Sequence, residues 1–153
     1  MNTVMQTVIA GVLVFVAGQL LLKLVIEPIN QLKKTFADIA HTFICYAHAI
    51  QNPDMIAPEL HSIVFEKLRQ LSGQLYADMS LIPLYTVFSS IFCLPRREKV
   101  YESAQHLIAV ANWMCSKSDY KFDYIVRNIQ KACDNLGLYI APGDRIPDEL
   151  LQK

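Results

Sequence analysis

The sequence predicts an all-α protein, in which one N-terminal transmembrane helix continues into a cytoplasmic bundle of about four helices. Three observations predict this fold. Residues 1–22 carry no charged side chain, apolar residues recur at every third and fourth position in several later segments, and no segment shows the alternation of a half-buried strand. We expect a transmembrane helix over residues 1–27, a helical bundle over 28–137 and an exposed tail over 138–153.

The composition limits the class of protein. A chain of 153 residues, 53% of them hydrophobic, fits one small domain. Its 14 basic and 14 acidic side chains give a net charge of zero, which excludes the basic surface that a nucleic-acid binder needs. The four cysteines form no C-x-x-C pair, as is typical of reduced thiols in a core.

The first element is the apolar stretch at the N-terminus. The 19 uncharged residues from Val4 to Leu22 would span about 28 Å as a helix, close to the hydrocarbon thickness of a bilayer. Lys23 can extend its side chain to the headgroups. A cleaved signal peptide and a buried core helix are the alternatives, but the segment lacks a basic start and a polar face. The lipid bilayer is therefore the first predicted partner.

Basic residues on one side of this stretch predict its orientation. Lys23, Lys33 and Lys34 follow it and no basic residue precedes it, so the C-terminal side should be cytoplasmic and the N-terminus outside. Arg96 and Arg97, which follow a later apolar segment, are further candidates for contact with the membrane surface.

The apolar pattern continues beyond the lipid-length segment. Apolar residues alternate at spacings of four and three from Val4 to Ile50, so a long helix should run from lipid into water. Pro28 should kink this helix or begin a second one. We expect self-association through one face of the helix, and the same face would line a pore if several copies surrounded it. The face comprises Thr7, Gly11 and Gly18 in the lipid half and Phe36 and Phe43 in the aqueous half.

Three further helices complete the predicted bundle. One begins near Pro58 and turns inward Leu60, Val64, Leu68, Leu71, Leu75 and Met79. The next begins at Arg96 and turns inward Val100, Ala104, Leu107, Ala111 and Met114. The last follows Ser118-Asp119, ends at Gly137 and turns inward Phe122, Ile125, Val126, Ile129, Cys133 and Leu136.

The segment from Met79 to Pro95 fits the bundle less well. It holds no charge and is interrupted by Pro83. Burial in the bundle, a helix in the membrane surface and a second transmembrane span are the alternatives, in that order of preference.

No motif points to catalysis or to a cofactor. Phosphate-binding, dinucleotide-binding, zinc-protease and serine-hydrolase patterns are absent from the sequence. His41, Cys45 and His48 are weak metal-ligand candidates, since their spacing places them on one helix face. One face usually supplies too few ligands for a closed site, so we expect a polar seam, no metal and a protein that is not an enzyme.

Two stretches of the chain resemble a known family. The runs VLVFVAGQLLLKLVIEPINQLKKTFADIAHTFICYA and LIPLYTVFSSIFCLPRREKVYESAQHLIAVAN are similar to a functionally uncharacterised family of small bacterial single-pass membrane proteins with a helical cytoplasmic domain. The resemblance implies a location in the bacterial inner membrane, and it carries no catalytic residue.

These observations favour a non-enzymatic, membrane-anchored interaction or assembly protein that forms a homo-oligomer. An unidentified protein partner is also compatible with them. The alternatives are a pore or channel subunit lined by Thr3, Thr7, Gly11 and Gly18, such as a toxic or defence effector, and a metal or redox sensor that uses His41, Cys45 and His48.

Overall fold

The computed structural model describes residues 3–140 and 145–146, and the secondary structure there is helical. The elements are α1 (Thr3–Leu21), a π-helical turn (Leu22–Ile26), α2 (Glu27–Cys45), α3 (Ala47–Gln51), a 3-10 turn (Pro53–Met55), α4 (Pro58–Ser80), α5 (Tyr85–Ile91), α6 (Arg97–Met114) and α7 (Lys121–Leu136). The predicted all-α class, with one long apolar helix at the N-terminus, is confirmed.

The first helix is continuous from Thr3 to Cys45. A proline at position 28 cannot donate a backbone hydrogen bond. The helix accommodates it by widening the turn before it, where the Glu27 N–H donates to the Leu22 carbonyl, five residues back. The helix therefore does not begin again at Pro28. Its irregular turn lies where the uncharged stretch ends.

Four helices, α2, α4, α6 and α7, pack in sequence as an up-and-down bundle. The Thr35 hydroxyl donates to a carboxyl oxygen of Asp78 at 2.5 Å, which fixes α4 beside α2. The Ser72 hydroxyl donates to the Ala104 carbonyl at 2.8 Å and joins α4 to α6. The Ser103 hydroxyl donates to the Ala132 carbonyl at 3.3 Å and joins α6 to α7.

The predicted inward faces of α4 and α6 are confirmed. Leu60 is half-buried, and the other predicted core residues of α4 are buried: Val64, Leu68, Leu71, Leu75 and Met79. All five predicted positions of α6 are buried. These side chains meet Ile29, Leu32 and Ile39 of α2 in one core cluster, so the helical spacing of apolar residues identified the core correctly.

The aqueous half of the predicted oligomer face requires a correction. Phe36 is buried in the core of its own chain, and Phe43 is half-buried against the same core. The spacing showed correctly that α2 has an apolar face. However, α4 and its neighbours cover this face within one molecule, so Phe36 offers no free surface to a second copy and Phe43 offers only part of its ring.

The last helix differs from the prediction at its beginning. Ser118 accepts the Tyr120 N–H with its hydroxyl at 3.3 Å, and α7 begins at Lys121. Phe122, predicted to point inward, is half exposed at 50%, because it lies in the first turn, before the helix is enclosed. Gly137 follows the helix with a φ of +69°, as predicted for a C′ glycine.

The segment after Gly137 is partly attached to the bundle in its described residues. Leu138 and Ile140 are half-buried, whereas Tyr139 and Arg145 are exposed. Gln130, itself buried, donates its amide to the Ile146 carbonyl at 3.0 Å and accepts the Ile146 N–H at 2.7 Å. The rest of the predicted tail, residues 141–144 and 147–153, lies outside the described residues.

Candidate membrane-binding surface

The whole of α1 is free of packing contacts with the bundle. Every residue of α1 is exposed, and this includes its large apolar side chains from Val4 to Leu21. Soluble monomers rarely expose continuous apolar surface of this extent. Among the described residues, the helix that contains α1 is the one long and apolar enough to cross a membrane. A buried core helix, one of the alternatives from the sequence, would not be exposed along its full length.

The bundle has one end next to α1 and one end far from it. The N-terminus of α2 directly follows the π-helical turn. Since the four helices alternate in direction, the C-terminus of α4, the N-terminus of α6 and the C-terminus of α7 lie at this near end. At the far end, His61 lies 3.3 Å from the Met114 carbonyl oxygen, and Lys121 pairs with Asp54.

The connection between α4 and α6 crosses the near end with two different faces. We call residues 81–94 the near-end segment. Its buried side chains are those of Ile82, Tyr85 and Leu94. Its exposed apolar side chains are those of Leu81, Leu84, Val87 and Ile91, with Leu84 74% and Ile91 64% exposed. The exposed side chains show that the segment is not fully buried. It is not a second span either, because α5 has seven residues, too few to cross a bilayer.

Two irregular residues bracket α5. Leu84 and Cys93 have positive φ values of 47° and 52°, a region that bulky side chains adopt rarely because it is strained. The Tyr85 hydroxyl donates to the Pro95 carbonyl at 2.8 Å and closes the segment into a compact loop. Burial raises the pKa of Tyr85 to about 12, against the opposing effect of Arg97, so the phenol keeps its proton at neutral pH.

The predicted basic residues border this end of the molecule. Lys23, Lys33, Lys34, Arg96 and Arg97 are all exposed. Arg97 lies over the ring of Tyr85, 5.9 Å from its centroid. Lys23 is in the π-helical turn and Arg96 directly precedes α6. Both therefore lie at the near end, although 72 residues lie between them in the sequence.

The predicted small-residue face of α1 is open. A methyl group added at Gly11 or Gly18 would meet no atom within 4 Å. Thr7 donates its hydroxyl to the Thr3 carbonyl at 3.0 Å and is satisfied within the helix. Nothing inside one molecule therefore requires small residues here, and the three positions project within about 40° of one another.

The weak metal candidates are only partly brought together. The Cys45 sulfur lies 3.3 Å from Nε2 of His41, whereas His48 follows the end of α2 and belongs to α3. No group of three or more His, Cys, Asp or Glu side chains within residues 3–140 and 145–146 is placed to hold a metal ion.

An apolar groove of about 490 Å³ lies between α2, α7 and the segment after Gly137. Phe43 and Ile44 line one side and Ile129 and Cys133 line the other. Burial, with a smaller effect from Asp134, raises the pKa of the Cys133 thiol to about 12. The thiol is therefore protonated at neutral pH and is a poor nucleophile.

Sequence reasoning missed the division of the near-end segment into an inward and an outward face. The spacing of Leu81, Leu84, Val87 and Ile91 is nearly helical and contained this signal. The absence of charge throughout the segment hid it, since both faces are apolar. The buried pair of Thr35 and Asp78 was also missed, because nothing in the periodicity links positions so far apart in the chain.

Comparisons with protein-family models, with curated proteins and with solved structures found no match to this chain.

Proposed function

We propose that this chain is a non-enzymatic assembly module, anchored in the bacterial inner membrane by α1, that associates with copies of itself. The observation that carries the proposal is the complete exposure of α1, an uncharged apolar helix of bilayer length. In lipid this surface would be solvated by acyl chains, and the backbone groups beyond the first turn are satisfied within the helix. The resemblance to small bacterial membrane proteins supports the same location.

Charge supports an orientation with the N-terminus outside. Lys23, Lys33 and Lys34 are exposed on the bundle side of α1, and such residues are retained on the cytoplasmic side. The bundle carries exposed thiols at Cys45, Cys93 and Cys115. These thiols are natural probes of the side on which the bundle lies.

Small residues on α1 support self-association. Since Phe36 and Phe43 are used inside the bundle, contact between copies is assigned to the lipid half. Gly11 and Gly18 have open space around them, which would allow two backbones to approach closely. Thr7 lies on the same face. Its side chain is small, and its hydroxyl is already hydrogen-bonded within the helix.

The anchor and its orientation are tested in intact bacterial spheroplasts. The full chain should sediment with membranes and resist extraction at alkaline pH. A membrane-impermeant maleimide should leave the bundle thiols unmodified until the cells are opened, whereas a Thr3→Cys variant should be labelled before lysis. A chain that stays in the supernatant, or bundle thiols that react in intact cells, would contradict the proposal.

Self-association is tested by energy transfer between labelled copies in proteoliposomes. Gly11→Leu should reduce the transfer, because the larger side chain holds the backbones apart. Ala17→Leu is the matched control, since this position projects about 100° away from the small-residue face. Equal transfer in the two variants and the parent protein would contradict association through this face.

The pore and sensor alternatives remain predictions. A pore would also place Thr7 and Gly11 between copies, but it requires ion leakage from loaded liposomes. A sensor requires metal or oxidation at Cys45, which lies beside His41.

A further inference from the structure

We propose that the near-end segment is a second membrane contact, in which the outward side chains Leu81, Leu84, Val87 and Ile91 insert into the headgroup–acyl boundary of the bilayer. The inference rests on the proposed anchoring by α1 and adds a partner for a surface of the bundle. It is carried by three observations: the level of the segment along α2, the division of its two faces, and the charges that border it.

The level of the segment, meaning its position along the axis of α2, follows from the hydrogen bonds between helices. Asp78 lies beside Thr35, and α4 ends two residues later, so α4 reaches about the level of Lys33. Ala104 lies beside Ser72, and with 1.5 Å per residue the start of α6 reaches about the level of Lys34.

The bundle nevertheless covers α2 much closer to the lipid. Val25 in the π-helical turn is only 6% exposed, although it lies about 12 Å beyond the level at which α4 ends. The near-end segment is the described part of the chain that continues from α4 in this direction, and it turns Ile82, Tyr85 and Leu94 into the core. The segment therefore lies beside the last turn before the uncharged stretch.

The outward face of the segment is uncharged and mainly apolar, with the hydroxyl groups of Thr86 and Ser90 among its exposed side chains. Val25 is three residues from Leu22, the end of the uncharged stretch, a distance of about 5 Å along the helix. An apolar face held at this depth is within the zone where interfacial helices insert their side chains. Burial of Ile82 and Tyr85 on the other face prevents the segment from turning its apolar side chains inward.

Charge complements this placement. Residues 79–95 hold no charge, and Arg96 and Arg97 follow at once. Both arginines are exposed, as is Lys23 at the exit of α1, so three cationic side chains flank the near end, next to the exposed carboxylates of Glu27 and Glu98. Apolar side chains flanked by basic ones are typical of surfaces that contact a bilayer with anionic headgroups.

The test uses the full chain in liposomes with a single tryptophan. Trp113 is at the far end, stacked on Tyr124 with ring centroids 4.3 Å apart, and is replaced by Trp113→Phe. Into this background we introduce Val87→Trp, with Ile91→Trp as a second variant should the first fail to fold. Met55→Trp is the matched control, because Met55 is 81% exposed on the 3-10 turn of the far end. Leu13→Trp reports on the anchor.

Lipids brominated near the headgroup should quench Val87→Trp by about twofold and leave Met55→Trp nearly unchanged. Emission of Val87→Trp should also lie to the blue of the control. Emission and quenching equal to those of Met55→Trp would overturn the proposal. A blue shift without quenching would overturn it too, because another copy would then cover the segment.

The two tryptophan positions distinguish failure of the anchor from failure of the second contact. If Leu13→Trp is quenched by lipids brominated near the chain ends and Val87→Trp is not quenched, the anchoring by α1 stands and the second contact is refuted. If neither is quenched, the anchoring itself is refuted.

Discussion

Replacement of Thr35 by valine tests the contact that sets α4 against α2. Thr35 is 1% exposed and Asp78 is 7% exposed, and the hydroxyl of one donates to the carboxyl of the other. Within the described residues, every buried polar side-chain atom has a partner. Valine has nearly the same shape as threonine but no donor, so Thr35→Val leaves a buried carboxyl oxygen without its partner.

The expected loss of stability follows from this unpaired carboxyl oxygen. A buried acceptor left unsatisfied lowers the free energy of unfolding by about 1–3 kcal/mol. For a bundle of this size, 1 kcal/mol corresponds to a lower midpoint of thermal unfolding by about 4 °C. We expect Thr35→Val to unfold at a clearly lower urea concentration than the parent protein, as measured by Trp113 fluorescence of the full chain in detergent.

Thr42→Val provides the matched control on the same helix. Thr42 is also 1% exposed, but its hydroxyl donates to the Asp38 carbonyl of its own helix at 2.7 Å. That carbonyl keeps its helical hydrogen bond, so the loss should be about 0.5 kcal/mol. Equal destabilisation by the two substitutions would refute the reasoning, and with it the level assigned to the near-end segment.

Four further results are expected. Leu68→Ala should lower the free energy of unfolding by about 2–5 kcal/mol in the same urea assay, because Leu68 is fully buried in the core. Gly137→Ala should lower it by about 1 kcal/mol through backbone strain alone, since its φ is +69° and the added methyl would meet no atom within 4 Å. Cys133 should react with iodoacetamide at pH 8 far more slowly than exposed Cys115, as followed by mass spectrometry, because burial raises its pKa to about 12. Burial raises the pKa of Tyr85 from 10.0 to about 12, so its contribution to stability is complete below pH 10 and is lost between pH 10 and 12; Tyr85→Phe should flatten that part of the profile of unfolding free energy against pH.

The local structure was largely predictable because it depends on local spacing. The buried positions of α4 and α6 recur at helical intervals, and Gly137 ends α7 because it tolerates a left-handed backbone. Each of these features is encoded within a few residues.

The segment that packs against each apolar face was not predictable in the same way. The pattern of α2 shows that Phe36 lies on an apolar face, but a second copy and the chain's own α4 satisfy that pattern equally. The choice depends on pairs such as Thr35 and Asp78, which only the folded chain brings together. The near-end segment was ambiguous for a related reason, since its inward and outward residues have the same chemical character.

The continuous helix from Thr3 to Cys45 has a mechanical consequence. A spanning helix adjusts to a thinner or thicker bilayer by changing its tilt. Because α2 prolongs α1 without a hinge, each degree of tilt would swing the bundle by a similar angle over the membrane plane. A second attachment beside the pivot, at the near-end segment, would resist that swing and hold the bundle at one preferred angle.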